Sequence, residues 1–354
     1  MSELIQTKEI PQEHPIGEKR SYQHDYLRVF AMLMVMLNHV ADVYLFWDPP
    51  MQIMYIYEGI AHCAVPIFLM LTGVFALKKA GKVSPKEFYL DALKKLGIPC
   101  AFFVVIYYAY DLYIGALDWA GVWSTFLTGF CGVYAHWYVG MLAVIYAFLP
   151  LIAFVKKNVP YEKYEKAAIV FFVWCVLGFH VEGSSTTWSL VNLDYMGYVL
   201  MGDVITTRIR RHNIKNNIVG ALLFLLGLIL LCVNHTILYN KMLVGESFYG
   251  DAMYTYYGAP AIAISSLIIF AGGSMMEMKR SVSLVAKASY TVFLCHKLII
   301  SLVINHTEVP SIIAEWLNWN MGLVALAELL LLFLVSFAVA LVFDFILEKT
   351  LYRK

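Results

Sequence analysis

Residues 26–46 read YLRVFAMLMVMLNHVADVYLF, a nearly unbroken apolar run in which Arg28 and His39 stand out. A helix needs about 20 mainly apolar residues to cross a hydrocarbon core of about 30 Å, and this stretch suffices. Nine further stretches pass the same reading: 54–77, 97–115, 137–155, 167–181, 189–206, 217–235, 255–275, 288–305 and 321–346. Composition agrees, since 61% of the 354 residues are apolar and 14% charged, against about 45–50% and 25% in soluble domains. A net charge of +1 lacks the basic excess of a nucleic-acid binder. Of six cysteines, five (Cys63, Cys100, Cys175, Cys232 and Cys295) fall inside apolar runs, which is not a disulfide scaffold. The expected fold is an all-α polytopic membrane helix bundle of about ten transmembrane helices.

Basic residues set the orientation. Six segments, the N-terminal tail, every even-numbered connection and the C-terminal tail, hold 23 of the 26 lysines and arginines, whereas the odd-numbered connections hold only Lys241. Positive charge accumulates on the cytoplasmic side, so both termini are expected there. The domain reading is a cytoplasmic tail over 1–24, a membrane domain over 25–346 and a short cytoplasmic tail over 347–354. The first 24 residues lack the order of a signal peptide. Seven of eight tryptophans (Trp47, Trp119, Trp123, Trp137, Trp188, Trp316 and Trp319) fall at outer ends or loops, as an interfacial belt or as stacking surface for a sugar. Asn234-His-Thr and Asn305-His-Thr match the glycosylation pattern on expected outward loops.

Ionisable groups at membrane depth are costly and mark functional positions. Arg28 and His39 are eleven residues apart, about three turns plus 20°, so both project from one helix face with a rise of about 16 Å. That face offers a cation near the inner surface and a titratable base deeper in. An arginine fork grips phosphate oxygens, and histidine can accept a proton from a hydroxyl; snorkelling of Arg28 and a hydrogen-bonded core role for His39 are the alternatives. Glu58 and His62, at i and i+4, form an ion pair or orient His39 from the second helix. His136 and Trp137 open the fourth helix from outside. His296 and Lys297 are neighbours in the ninth helix, about 100° apart, so one of them is expected to line a cavity, with Glu328 a candidate partner. No grouping has metal-ligand spacing such as HExxH, and no metal is expected; no GxSxG elbow occurs either.

The stretch from Asp25 to His39, with ten residues between arginine and histidine, resembles the opening helix of the acyltransferase-3 family of integral-membrane acyltransferases. Val65-Pro-Ile-Phe-Leu-Met-Leu-Thr-Gly73, His136-Trp-Tyr-Val-Gly-Met, Tyr195-Met-Gly-Tyr-Val-Leu-Met-Gly202 and Ser289-Tyr-Thr-Val-Phe-Leu-Cys-His296 are similar in order and spacing. The likeness covers about residues 20–346. It implies transfer of an acyl group, usually acetyl, from cytoplasmic acyl-CoA to a hydroxyl of a cell-surface glycan or lipid-linked precursor, by a multi-pass protein of the plasma or inner membrane. Members of the family often carry an arginine-rich stretch after the second helix; here Phe88–Pro99 has Lys94, Lys95 and an Asp91 instead, and lysine binds phosphate as a point charge.

The chemistry expected on this basis places donor phosphates on Arg28, Lys94 and Lys95, with His39 as general base and Glu58 in its support. His136, Trp137 and His296 are expected on the acceptor side. Direct transfer and an acyl-histidine intermediate both remain open. The competing class is a proton-coupled transporter of a small polar metabolite, which would use the same buried groups as a relay; no internal repeat or paired broken helices favour it.

Overall fold

The structure, a computed structural model, describes residues 22–45, 47, 50–128, 137–182, 193, 195–245 and 252–350. These residues form helices and connections without a strand. In chain order the helices are α1 (Tyr22–Leu45), α2 (Gln52–Ala80), α3 (Pro85–Tyr113), α4 (Trp119–Thr128), α5 (Trp137–Asn158), α6 (Tyr161–Glu182), α7 (Met196–Arg211), α8 (Asn217–Leu243), α9 (Pro260–Met275), α10 (Ser283–Asn305), α11 (Val309–Trp316) and α12 (Met321–Thr350). Seven of them, α1, α2, α3, α5, α8, α10 and α12, are long and apolar enough to cross a membrane. α6, α7 and α9 occupy the fifth, sixth and eighth stretches expected to cross.

α1 is the central post. It packs on both halves of α2 and on α9, α10 and α12, and its buried face runs through Leu27, Ala31, Met32, Val35, Met36, Val40 and Tyr44. Outer helices show the opposite pattern: α8 exposes Leu222, Leu225, Ile229 and Val233, and α12 exposes Leu330, Leu334, Val342 and Phe345. Large apolar side chains turned outward along whole helices suit a lipid solvent and would be an aggregation hazard in water.

Several boundaries differ from the sequence reading, each for a local reason. Lys86, Lys94 and Lys95 were expected in a connection, but α2 runs on to Ala80 and α3 starts at Pro85. Ser84 caps α3 by accepting from the Glu87 N–H at 3.2 Å, and Pro85 takes the first helical position, where its missing N–H costs nothing. Only Gly81–Ser84 remains as the turn. Asn234 was expected on an outward loop, yet α8 continues through it to Leu243. There Asn234 is buried and donates to the Tyr254 carbonyl at 2.9 Å, so it is not a loop acceptor. Asn305 is exposed at the end of α10.

Close backbone contact holds the inner layer. A Cβ at Gly73 would collide with the Val199 carbonyl oxygen, and one at Gly202 with the Met70 carbonyl oxygen, so α2 and α7 touch backbone to backbone. Gly220 and Gly272 do the same between α8 and α9, where a Cβ on Gly220 would lie 2.7 Å from the Gly272 oxygen. Small residues are how membrane helices gain packing that the hydrophobic effect does not supply in lipid. At one end of the bundle a polar knot ties α5, α6 and α7. Asp203 receives Lys156 at 2.7 Å and the Tyr164 hydroxyl at 2.9 Å, Glu165 pairs with Arg208, and the Arg211 guanidinium lies 3.9 Å from the centre of the Tyr161 ring.

Candidate active site

The two groups on α1 both face protein. Arg28 is half-buried with its guanidinium 4.6 Å from the centre of the Phe75 ring of α2. Three turns on, the His39 ring stacks on the His296 ring of α10, with centroids 5.3 Å apart and 22° between planes. Rings fill part of the space between the two positions. Tyr138 sits edge-on to Phe293 at 5.3 Å, and Phe293 lies 5.7 Å from His296. The helix-face arithmetic for Arg28 and His39 thus corresponds to one protein-facing surface.

His39 is oriented by a residue that the sequence reading did not single out. Its Nδ1 lies 2.9 Å from the Asp42 carboxylate on the next turn, and Asn38 donates to the same oxygen at 3.2 Å. A carboxylate only accepts, so Nδ1 carries the proton and Nε2 keeps a lone pair. The side chain is 20% exposed. His296, by contrast, is fully buried; its Nδ1 donates to the Phe293 carbonyl at 2.6 Å, which leaves Nε2 without a partner among the described residues. Lys297 is half-buried.

Glu58, expected to support His39, contacts His62 instead. The His62 Nδ1 donates to the Glu58 backbone carbonyl at 2.7 Å, and its Nε2 stands 4.0 Å from Glu58 Oε1. Glu328 accepts the Tyr44 hydroxyl at 2.5 Å, so the structure pairs it with α1 and not with His296 or Lys297. The i, i+3 spacing of His39 and Asp42 on an amphipathic helix was the available signal for the orienting pair. Glu328 gave none, because its partner is 284 residues away in the chain.

Lys94 and Lys95 are exposed on α3. Asp91 pairs with Lys95 at 3.1 Å and with Lys79, the latter linking α3 back to α2. Lys94 lines a surface depression together with Ser84, Lys86, Glu87, Leu90 and Asp91. His136 and the Trp137 side chain lie outside the described residues, as does Trp188. Of the remaining expected belt, Trp47, Trp119, Trp123, Trp316 and Trp319 are all exposed.

Residues 22–345, nearly the entire chain, match the family model of an acyltransferase domain, acyltransferase-3. The chain belongs to the acyltransferase-3 family. No curated protein and no solved structure matches it. Membership together with the apolar helices makes the protein a multi-pass membrane acyltransferase. Within this acyltransferase, Asp42, His39 and His296 form one column, and Arg28 faces protein three turns away on the same helix.

Proposed function

We propose that the protein is an O-acyltransferase that moves an acetyl group from cytoplasmic acyl-CoA to a hydroxyl of a cell-surface glycan or lipid-linked sugar. The observation that carries this reading is the pair on α1: an imidazole fixed by a carboxylate through Nδ1, and a guanidinium three turns below on the same protein-facing surface. The proposed setting is the plasma or inner membrane, crossed ten times by α1, α2, α3, α5, α6, α7, α8, α9, α10 and α12, with both termini cytoplasmic. This ordering puts Arg28, Lys94 and Lys95 at the inner surface, where they take the donor phosphates, Arg28 through its bidentate fork. His136, Trp137 and His296 are assigned to the acceptor side in this reading.

In the reaction, His39 Nε2 takes the proton of the acceptor hydroxyl as its oxygen attacks the thioester carbonyl. The carbonyl then re-forms as the C–S bond breaks. The coenzyme leaves as thiolate and recovers the proton from His39. A positioned base contributes roughly 10²–10⁴ in rate, and holding both reactants in one site adds more. Asp42 keeps the imidazole in the tautomer with Nε2 open. Glu58, one helix away, supports this site through charge and not through contact.

The test uses purified full-length protein with labelled acetyl-CoA and a membrane-sugar extract. Release of coenzyme A thiol that depends on the extract is the expected outcome. Arg28→Lys should weaken donor binding more than Lys94→Arg, since only the first removes a bidentate grip. Absence of thiol release, with pH-gradient-driven flux in liposomes, would replace the transferase reading with a transporter.

A further inference from the structure

Beside the proposed catalytic column lies a second buried cluster, whose two histidines transfer chemistry does not use. Glu58 and His62 of α2 meet His235 of α8, and one ligand atom from each lies within 4.8 Å of the other two. All three residues are more than nine-tenths buried, at 4%, 7% and 0% exposure. The His62 and His235 rings are 5.0 Å apart at 34°. Among the described residues, Glu58 Oε2 and His235 Nε2 have no hydrogen-bond partner. A carboxylate oxygen and an imidazole nitrogen left unsatisfied together at membrane depth are costly, because no water is at hand to repay the lost solvation.

Local structure supports a ligand here. The His62 Nδ1 donates to the Glu58 carbonyl at 2.7 Å, which fixes the tautomer with the Nε2 lone pair turned to the cluster. Such a carbonyl-anchored imidazole is how metal-binding histidines are usually oriented. His62 itself stays in helical geometry, its N–H bonded to the Glu58 carbonyl at 3.1 Å, so Glu58 and His62 share one face of α2. Gly59 supplies the room. A Cβ there would come within 2.6 Å of His235 Cγ and 2.8 Å of its Nδ1, so only glycine lets His235 reach over α2.

We propose that Glu58, His62 and His235 bind one divalent transition-metal ion of the zinc class, which joins α2 to α8 beside His39. Two imidazole nitrogens and one carboxylate suit zinc and its neighbours, while magnesium and calcium favour all-oxygen sets. Three protein ligands leave a fourth position for an exchangeable ligand such as water. Around a tetrahedral ion with bonds of about 2.0–2.2 Å, ligand atoms lie about 3.3–3.6 Å apart. The observed spread therefore closes by a shift of about an ångström. A dipositive ion also neutralises the buried Glu58 carboxylate, for which His62 at 4.0 Å is a long-range partner.

The experiment takes the full-length chain, purified through a tag without histidine, stripped with a chelator, incubated with zinc chloride alone and gel-filtered. Mass spectrometry should find about one zinc per chain, and cobalt in place of zinc should give the visible bands of a tetrahedral site. Glu58→Gln and His235→Gln should each weaken zinc binding by more than the roughly 10–100-fold typical of losing an outer-shell partner. His212→Gln, in an exposed turn, should leave it unchanged. Equal zinc retention in wild type and both cluster variants would overturn the site. Where those variants fail to fold, wild type decides: no retained zinc, no tetrahedral cobalt bands and no rise in melting temperature with zinc would also overturn it. None of these readouts depends on acyl transfer.

Discussion

His39 carries two contacts that pull it in different directions chemically. Asp42 holds Nδ1 at 2.9 Å, while the fully buried His296 ring lies parallel at 5.3 Å. The first fixes a tautomer; the second restricts rotation of the ring. His39→Ala should therefore lower turnover by about 10²–10⁴, the usual worth of a positioned base, with the protein still folded and inserted. Asp42→Asn tests orientation separately. An amide in place of the carboxylate presents N–H to N–H or reverses the tautomer, and an imidazole's orienting partner is typically worth about 10–100-fold. The expected result is a fall in kcat of that size, with the donor KM unchanged and partial rescue by Asp42→Glu. A change confined to KM would remove Asp42 from its orienting role. Arg28 and His39 were legible in the sequence because helix geometry puts them on one face whatever surrounds it. The rings between them were not, since Phe75, Tyr138, Phe293 and His296 come from three other helices, and nothing in the chain order brings them together.

At the scale of elements, irregular turns carry several of the functional side chains. Among the described residues, three π-helical turns interrupt the bundle: Gly73–Leu77 in α2, Leu93–Gly97 in α3 and Ile300–Asn305 in α10. The first presents Phe75 to Arg28, and the second bears Lys94 and Lys95. Such bulges shift the register of the side chains that follow, and they concentrate at functional positions. Periodicity assumes 3.6 residues per turn and passes over them, and hydropathy alone starts α3 at 97 although the helix begins at Pro85. Gly73 ties one bulge to the α2–α7 contact. Adding a methyl group there drives Cβ into the Val199 carbonyl oxygen, which is backbone and does not yield as a side-chain end would. Gly73→Ala and Gly202→Ala should each cost about 1–3 kcal/mol, the usual range for overpacking a tight interface. Thermal unfolding in detergent measures this. Gly115→Ala is not a fair comparison because its φ is +70°, whereas Gly81→Ala is: its Cβ would meet nothing closer than 3.7 Å, and its stability should be near wild type. Equal losses at Gly81 and Gly73 would mean that close approach of α2 to α7 is not what Gly73 provides.

For the whole molecule, the direction of each crossing decides which groups share the donor side. Seven helices meet the length and apolarity needed to span, and α6, α7 and α9 complete ten if they also cross. α7 and α9 have 16 residues each, about 24 Å of helix, shorter than an average hydrocarbon core. Both are shielded by neighbours, α7 by α2 and α6, α9 by α8 and α1. A short helix enclosed by others can cross because its ends meet polar protein groups instead of lipid: α7 ends in the Asp203 and Arg208 contacts, and the Asn216 carboxamide caps the start of α8 beside the end of α9. With ten crossings the turns at Lys82 and Arg280 share one side, and Thr307 and Asn318 share the other. Single cysteines at these four positions, in a background silent to a membrane-impermeant thiol reagent, should divide cleanly. Lys82→Cys and Arg280→Cys should react only in inverted vesicles, and Thr307→Cys and Asn318→Cys only in intact cells. Removal of α6 and α7 together from the count would keep this parity, so Leu193→Cys, between the two helices, supplies the second comparison: with both crossing it belongs with Thr307, and with neither it belongs with Lys82. Reaction of Arg280→Cys from the outside would show that one of the short helices turns back, and Arg28 and the donor lysines could then no longer be assigned to a common face by charge alone.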